Sequence, residues 1–337
     1  MADVAARLGI SKMTVSRALT RTSARSRGAS EELRQRILST SREMGYVIDR
    51  TASAFSSKRS GFVAVLIPSL NNSNFADTVH GLTLALEDTG LQVLFGYTDY
   101  DLPTEERLLR AMLTRRPEAV VLTGGSHLPS VRKMLKAAAV PVVEMWDMLQ
   151  DPIEHTVGFS NAEATAELVR QLHAKGYRRM AFMGGTPERD PRGAERRQGF
   201  EAAAKELGLP QDRIVVVGPT PPVSMAHGAQ AVVQVMQRWP DTDALVCVSD
   251  HPAFGALMEC QRRGWAVPQR LAIAGFGSFE VSTACHPRLT TVVIDCAGIG
   301  RATGELLKRA ITEVRNGKRL EAETVMIPFE IAQRESS

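Results

Sequence analysis

The chain has 337 residues, 44% of them apolar and 23% charged, with a formal net charge of +4. That length supports two or three domains around a large buried core. No apolar run approaches the roughly 20 residues of a membrane span, which excludes a helical integral membrane protein, and no signal-type leader reads at the N-terminus, so the cytoplasm is the expected compartment.

The charge is unevenly placed. Residues 1–60 hold 12 Lys/Arg against five Asp/Glu, a balance of +7, while the remainder holds 29 against 32. A small basic head on a mildly acidic body suits a polyanionic partner, although a solvated charge excess has the same signature. Helical periodicity runs over 2–8, 11–19 and 30–44, with the polar loop "RTSARSRGA" before the third segment. Within "GISKMTVSRALT", Gly9 stands where a turn needs positive φ, and Ala5 is small where two helices would cross. Ile10, Val15 and Ala18 fall where the second helix would pack back on the first, the spacing of a helix-turn-helix. Ser11 can cap that helix. Val15, Ala18 and Leu19 then face inward, Lys12, Met13, Ser16 and Arg17 face outward, and Thr14 lies at the margin. Cations, hydroxyls and one methionine suit a major groove, where Arg and Lys read guanine edges and hydroxyls reach phosphates. The same pattern also fits an ordinary capped amphipathic helix.

A basic linker, "DRTASAFSSKRSG", leads to Gly61. Beyond it, apolar runs without alternation ("FVAVLIPSL", "AVVLTGG", "RMAFMGG", "ALVCVSD", "LAIAGFG") alternate with helical stretches. Strands of that kind belong to parallel sheets covered on both faces. The expected fold class is α/β, with a helix-turn-helix head and two doubly wound, Rossmann-like subdomains. The cleft between the halves is the expected pocket. "TGG" at 123–125 and "GGT" at 184–186 belong to no full phosphate-binding motif. No acid–base or nucleophile constellation stands out, so no enzyme is expected. Cys247, Cys260, Cys285 and Cys296 form no CxxC pair and read as reduced packing residues. The seven histidines lack metal-ligand spacing, and neither a metal nor a cofactor is expected.

"DVAARLGISKMTVSRAL" followed by "ASEELRQRILSTSREMGYV" resembles the DNA-binding head of the lactose/galactose-repressor (LacI/GalR) family of bacterial regulators. The family's later landmarks follow: "RRQGF" at 196–200, "CVSDHPAFGAL" at 247–257, "VPQRLAIAGF" at 267–276 and "HPRLTTV" at 286–292. Within the family, "HLPSVRKMLKAAAVPVVEMWD" and "GFG" look most like the gluconate-responsive repressors. The resemblance implies a body of the periplasmic-binding-protein type, without the signal peptide a transport receptor would need. It implies a homodimer on double-stranded operator DNA, away from any membrane, and a small-molecule effector in the cleft.

The resemblance also implies residue roles. Lys12, Met13 and Arg17 match base-reading positions, and Ser11, Thr14, Ser16 and Ser30 match phosphate contacts. Arg50–Ser56 matches the hinge helix, with Arg50 on the DNA and Phe55 in place of the family's wedging leucine. "YVID" replaces the family's usual Tyr-x-Pro-Asn, and Asp49 brings a negative charge toward phosphates. The loop carrying Arg21, Arg25 and Arg27 is longer than usual, and the family's pattern places a start upstream of Met1. In the cleft, Phe75 matches a lining position and Arg196 the ligand-binding arginine, and Asp250 lies in a strand-end turn. Gly277 stands where the family often has a carboxylate. Losing that anion while keeping Arg196 favours an anionic effector, a sugar acid, over a neutral sugar or a purine corepressor. His127, Glu144, Trp146 and Asp147 are expected at the cleft, as hydroxyl ligands or as structural strand ends. The implied domains are 1–45 (head), 46–60 (hinge), 61–158 with about 291–322 (first subdomain), and 159–290 with about 323–337 (second).

Overall fold

A left-handed turn at Gly9 (φ 64°) separates the first two helices, α1 (Ala2–Leu8) and α2 (Lys12–Thr20). A Cβ at Gly9 would meet nothing within 4 Å, so the dihedral alone demands glycine. Ser11 Oγ accepts from Thr14 N at 3.1 Å and caps α2. Ser30 Oγ accepts from Leu33 N at 3.3 Å and caps α3 (Glu31–Glu43). Val4, Ala5, Val15, Ala18 and Ile37 close a small core among the three helices. These features come from a computed structural model that describes residues 1–20, 30–46, 60–186, 190–218 and 223–337. The described residues form two units, Met1–Gly61 and Phe62–Ser337.

The second unit contains two six-stranded sheets. The first has the order β11-β5-β4-β3-β1-β2, from β1 (Phe62–Ile67), β2 (Gln92–Tyr97), β3 (Ala119–Thr123), β4 (Val142–Trp146), β5 (His155–Gly158) and β11 (Thr324–Met326), and every pairing is parallel. The second has the order β12-β10-β9-β8-β6-β7, from β6 (Met180–Gly184), β7 (Ile214–Val216), β8 (Ala244–Cys247), β9 (Ala272–Phe276), β10 (Thr290–Ile294) and β12 (Phe329–Ala332). Only β12 runs antiparallel to its neighbour. β1, β3, β4, β8 and β9 are buried almost throughout, as helices on both faces of a parallel sheet require.

The chain passes between the two lobes three times. After β5 it enters the second lobe through α7 (Asn161–Ala174). After β10 it returns through α12 (Cys296–Arg315), which packs along α4 (Ser73–Leu86). After β11 it goes back to form β12. These crossings correct two expected boundaries. Residues 291–294 stay in the second lobe, because β10 pairs with both β9 and β12. Residues 324–326 stay in the first, because β11 pairs with β5. All four cysteines are free, with Cys247, Cys260 and Cys296 buried. Among the described residues no helix is long and apolar enough to cross a membrane.

Candidate functional site

In the head, α2 turns Val15 and Ala18 into the core and leaves Lys12, Met13 and Arg17 exposed, Met13 by 62%. Thr14 and Ser16 are half-buried. The hydroxyls of Ser11 and Ser30 already cap helices, so any phosphate contact they make adds to a structural role. Arg50 and Phe55 lie outside the described residues, as do Asp49, Arg21, Arg25 and Arg27.

In the core unit, strand ends of both lobes meet over a cavity of about 100 Å³. The first lobe supplies Asn74, Phe75, Tyr100 and Trp146, and the second supplies Asp190, Arg192, Arg196, Phe276 and Gly277. A row of rings crosses between the lobes. Phe75 and Trp146 have centroids 5.1 Å apart, Trp146 and Phe159 6.0 Å, and Phe159 and Phe276 6.2 Å. A guanidinium sits at each end, Arg192 with Cζ 5.4 Å from the Phe75 centroid and Arg196 with Cζ 3.7 Å from that of Phe276. Both arginines project from α8 (Pro191–Glu206), four residues apart and so on one face.

Arg196 is fixed by two bonds, from Nε to Asn161 Oδ1 at 2.9 Å and from Nη1 to the Val248 carbonyl at 2.7 Å. Burial lowers its pKa to about 10, so it stays charged at neutral pH. Burial also disfavours the charge on Arg192, but Asp147, Tyr100 and Asp190 outweigh it and raise the pKa. Tyr100 and Arg192 also line a neighbouring cavity of about 450 Å³ that includes Asp147 and Glu195. There burial, then the nearby Asp147, pushes Glu195 to about 7. Tyr100 (φ 57°) and Trp146 (φ 84°) both adopt the left-handed backbone region, at roughly 1–3 kcal/mol each, a pattern typical of ligand sites. Gly277 has φ 114°, and a Cβ there would lie 2.7 Å from the Phe279 ring and 3.1 Å from Asn74 Nδ2. A side chain at this position would therefore be strained and would press on the Phe279 ring.

Phe75, Trp146 and Arg196 come together in the smaller cavity. Asp147 lines the larger one, its Oδ1 3.2 Å from Asn161 Nδ2. Three other residues expected at the cleft are directed elsewhere. Asp250 spends Oδ1 on the Thr291 hydroxyl at 2.6 Å and Oδ2 on Phe279 N at 2.8 Å; it ties β10 and the turn after β9 to α10 (Asp250–Arg262). Burial pushes its pKa to about 6 against those bonds. The His127 ring is fully buried, with Nδ1 2.8 Å from Glu105 and Nε2 2.9 Å from the Gly124 carbonyl and 3.3 Å from Glu144. Glu144 also accepts from Ile153 N. Burial opposes the charge on His127, yet the bonds to Glu105 and Glu144 win and set its pKa at about 9. His127 and Glu144 thus brace the turn after β3, and neither lines the smaller cavity. Arg192 and Tyr100 were not anticipated. The four-residue spacing to Arg196 is a signal for the first; the second rests on a turn conformation that nothing in "TDYD" announces.

A helix-turn-helix head and a two-lobed core with a charged cleft between strand ends together define a ligand-responsive DNA-binding regulator. The profile described as "Bacterial regulatory proteins, lacI family" matches residues 1–49, and that described as "Periplasmic binding protein-like domain" matches 169–337. The "HTH-type transcriptional regulator GntR" of Pseudomonas aeruginosa is 35% identical over 99% of this chain and 94% of its own length. A LacI family transcriptional regulator from Silicibacter pomeroyi is 42% identical, with a TM-score of 0.76 over 82% of this chain and 98% of that one. The lac repressor dimer bound to operator superposes with a TM-score of 0.84 over 99% of this chain and 97% of its own, at 20% identity, and shares the fold. The chain belongs to the LacI family. It is a DNA-binding transcriptional regulator and not an enzyme.

Proposed function

We propose that the protein is a repressor that binds a near-palindromic operator as a homodimer in the cytoplasm and is controlled by a sugar acid, gluconate or a keto-gluconate, held between the lobes. The observation that carries the effector reading is the pair Arg192/Arg196 on one helix face, above a row of rings and beside Gly277, which carries no carboxylate. Arg196 pairs with the effector carboxylate, and the polyol lies against Phe75 and Trp146. A guanidinium that keeps N–H groups beyond its two protein bonds grips a carboxylate better than a neutral hydroxyl. Lys12, Met13 and Arg17 read bases, while Ser11, Thr14, Ser16 and Ser30 lie toward the backbone. The dimer reading draws support from the lac repressor, a dimer on its operator, and from apolar surface on the first lobe. Edge strand β2 exposes Phe95 and Tyr97 by 44% each, and α4 exposes Leu84 by 53%.

Calorimetry with gluconate, 2-ketogluconate, glucose and hypoxanthine, followed by operator gel shifts with each, tests this reading. A sugar acid is expected to bind most tightly and to alter operator affinity. Tighter binding of glucose or hypoxanthine would overturn the choice of ligand class.

A further inference from the structure

Trp146 is 4% exposed and lines the smaller cavity, and its indole Nε1 meets no hydrogen-bond acceptor among the described residues. A buried N–H without a partner is disfavoured, and folded proteins keep few of them. Its ring neighbours are Phe75 and Phe159, both edge-on and both without oxygen. The second lobe's Arg196, by contrast, is already seated by Asn161 and Val248. Trp146 is therefore a neutral donor in want of an acceptor, in a side chain that lines the same cavity as the cation Arg196.

We propose that the Trp146 indole N–H is the first lobe's hydrogen-bond donor to the effector, and that it selects a polyhydroxy acid by taking one of its hydroxyl oxygens. This rests on the reading that the cleft holds the effector and that Arg196 takes the carboxylate. A single molecule is then bonded at one end to each lobe. A simple carboxylate without hydroxyls satisfies only the arginine, and an apolar ligand satisfies neither.

The full-length protein labelled with ¹⁵N-tryptophan has three indoles, Trp146, Trp239 and Trp265, and a Trp146→Phe variant assigns the first. Titration with gluconate is expected to move the Trp146 indole proton downfield and slow its exchange with water. Trp146→Phe keeps a ring in place but removes the donor, and is expected to weaken gluconate about tenfold by calorimetry. Two results overturn the proposal. One is gluconate saturating the protein while the Trp146 indole signal stays unmoved. The other is an indole proton shifted upfield, as for an N–H over the face of Phe75, and left there by every ligand. Glucose and hypoxanthine serve as separate arms. If glucose binds and moves the Trp146 signal while gluconate does not bind, the sugar-acid reading falls and the indole donor to a hydroxyl stands; if hypoxanthine alone does so, both fall. If none of the three binds, both fall.

Discussion

Arg196 is held by one carbonyl and one amide oxygen and stacked on Phe276, so its charge is placed before any ligand arrives. Arg196→Ala is expected to abolish the response to gluconate in operator gel shifts. Arg196→Lys should rescue it poorly, because an ammonium lacks the two-point fork. A wild-type response in Arg196→Ala would refute the pairing. Gly277→Asp would restore the carboxylate common in the family, but at φ 114° and against the Phe279 ring. It is expected to lower stability by about 1–3 kcal/mol in thermal melts without creating tight glucose binding. His127 gives a pH signature. Its pKa rises from 6.5 to about 9 on folding, so its contribution is complete below about pH 6.5 and is lost as pH climbs through 9. Melting temperature should fall over that range, and less steeply in His127→Gln. The placement of Phe75, Trp146 and Arg196 at one cavity was legible because side-chain chemistry and position in the motif agreed. For Asp250, His127 and Glu144 the choice between ligand and structural strand end was not legible, for one shared reason. A strand-end polar residue can point at the cleft or into a neighbouring turn, and that choice depends on partners as distant in sequence as Thr291 is from Asp250.

At the scale of elements, α2 shows how a cap, a turn and a face combine. Ser11→Ala removes the bond to Thr14 N and is expected to cost the head about 1 kcal/mol, seen as earlier melting of its helices in circular dichroism. Arg17→Ala keeps that fold and should lose about 1–3 kcal/mol of operator binding while sparing random DNA. Equal losses on both DNAs would show a phosphate contact in place of a base contact. The helix-turn-helix was readable because three short helices carry their own periodicity and a glycine marks the turn. The parallel parts of the two sheets were readable from unalternating apolar runs. The exchange of strands near the C-terminus was harder. β11 and β12 have three and four residues, and short segments carry too little pattern to reveal which sheet they join. Only their pairing, β11 with β5 and β12 with β10, decides it.

At the scale of the whole molecule, the lobes of the core are joined by three chain crossings and by side-chain bonds over the cleft. Among the buried ones, Asn74 Nδ2, at the start of α4, donates to the Gly277 carbonyl of the second lobe at 2.9 Å. A ligand can shift such a two-lobed body only through different affinities for its arrangements. Any substitution that moves the same equilibrium must then change operator affinity and effector affinity together, by linkage. Asn74→Ala removes a bond that favours the arrangement described above and leaves the Gly277 carbonyl unpaired, a change of about 1–3 kcal/mol. If gluconate releases the operator, the variant's operator affinity and gluconate affinity should move in opposite directions, each by severalfold. Gel shifts without ligand give the first, and calorimetry without DNA gives the second. If both affinities fall, the substitution has damaged the cleft and not shifted a balance, and the bond between Asn74 and Gly277 is not part of the coupling.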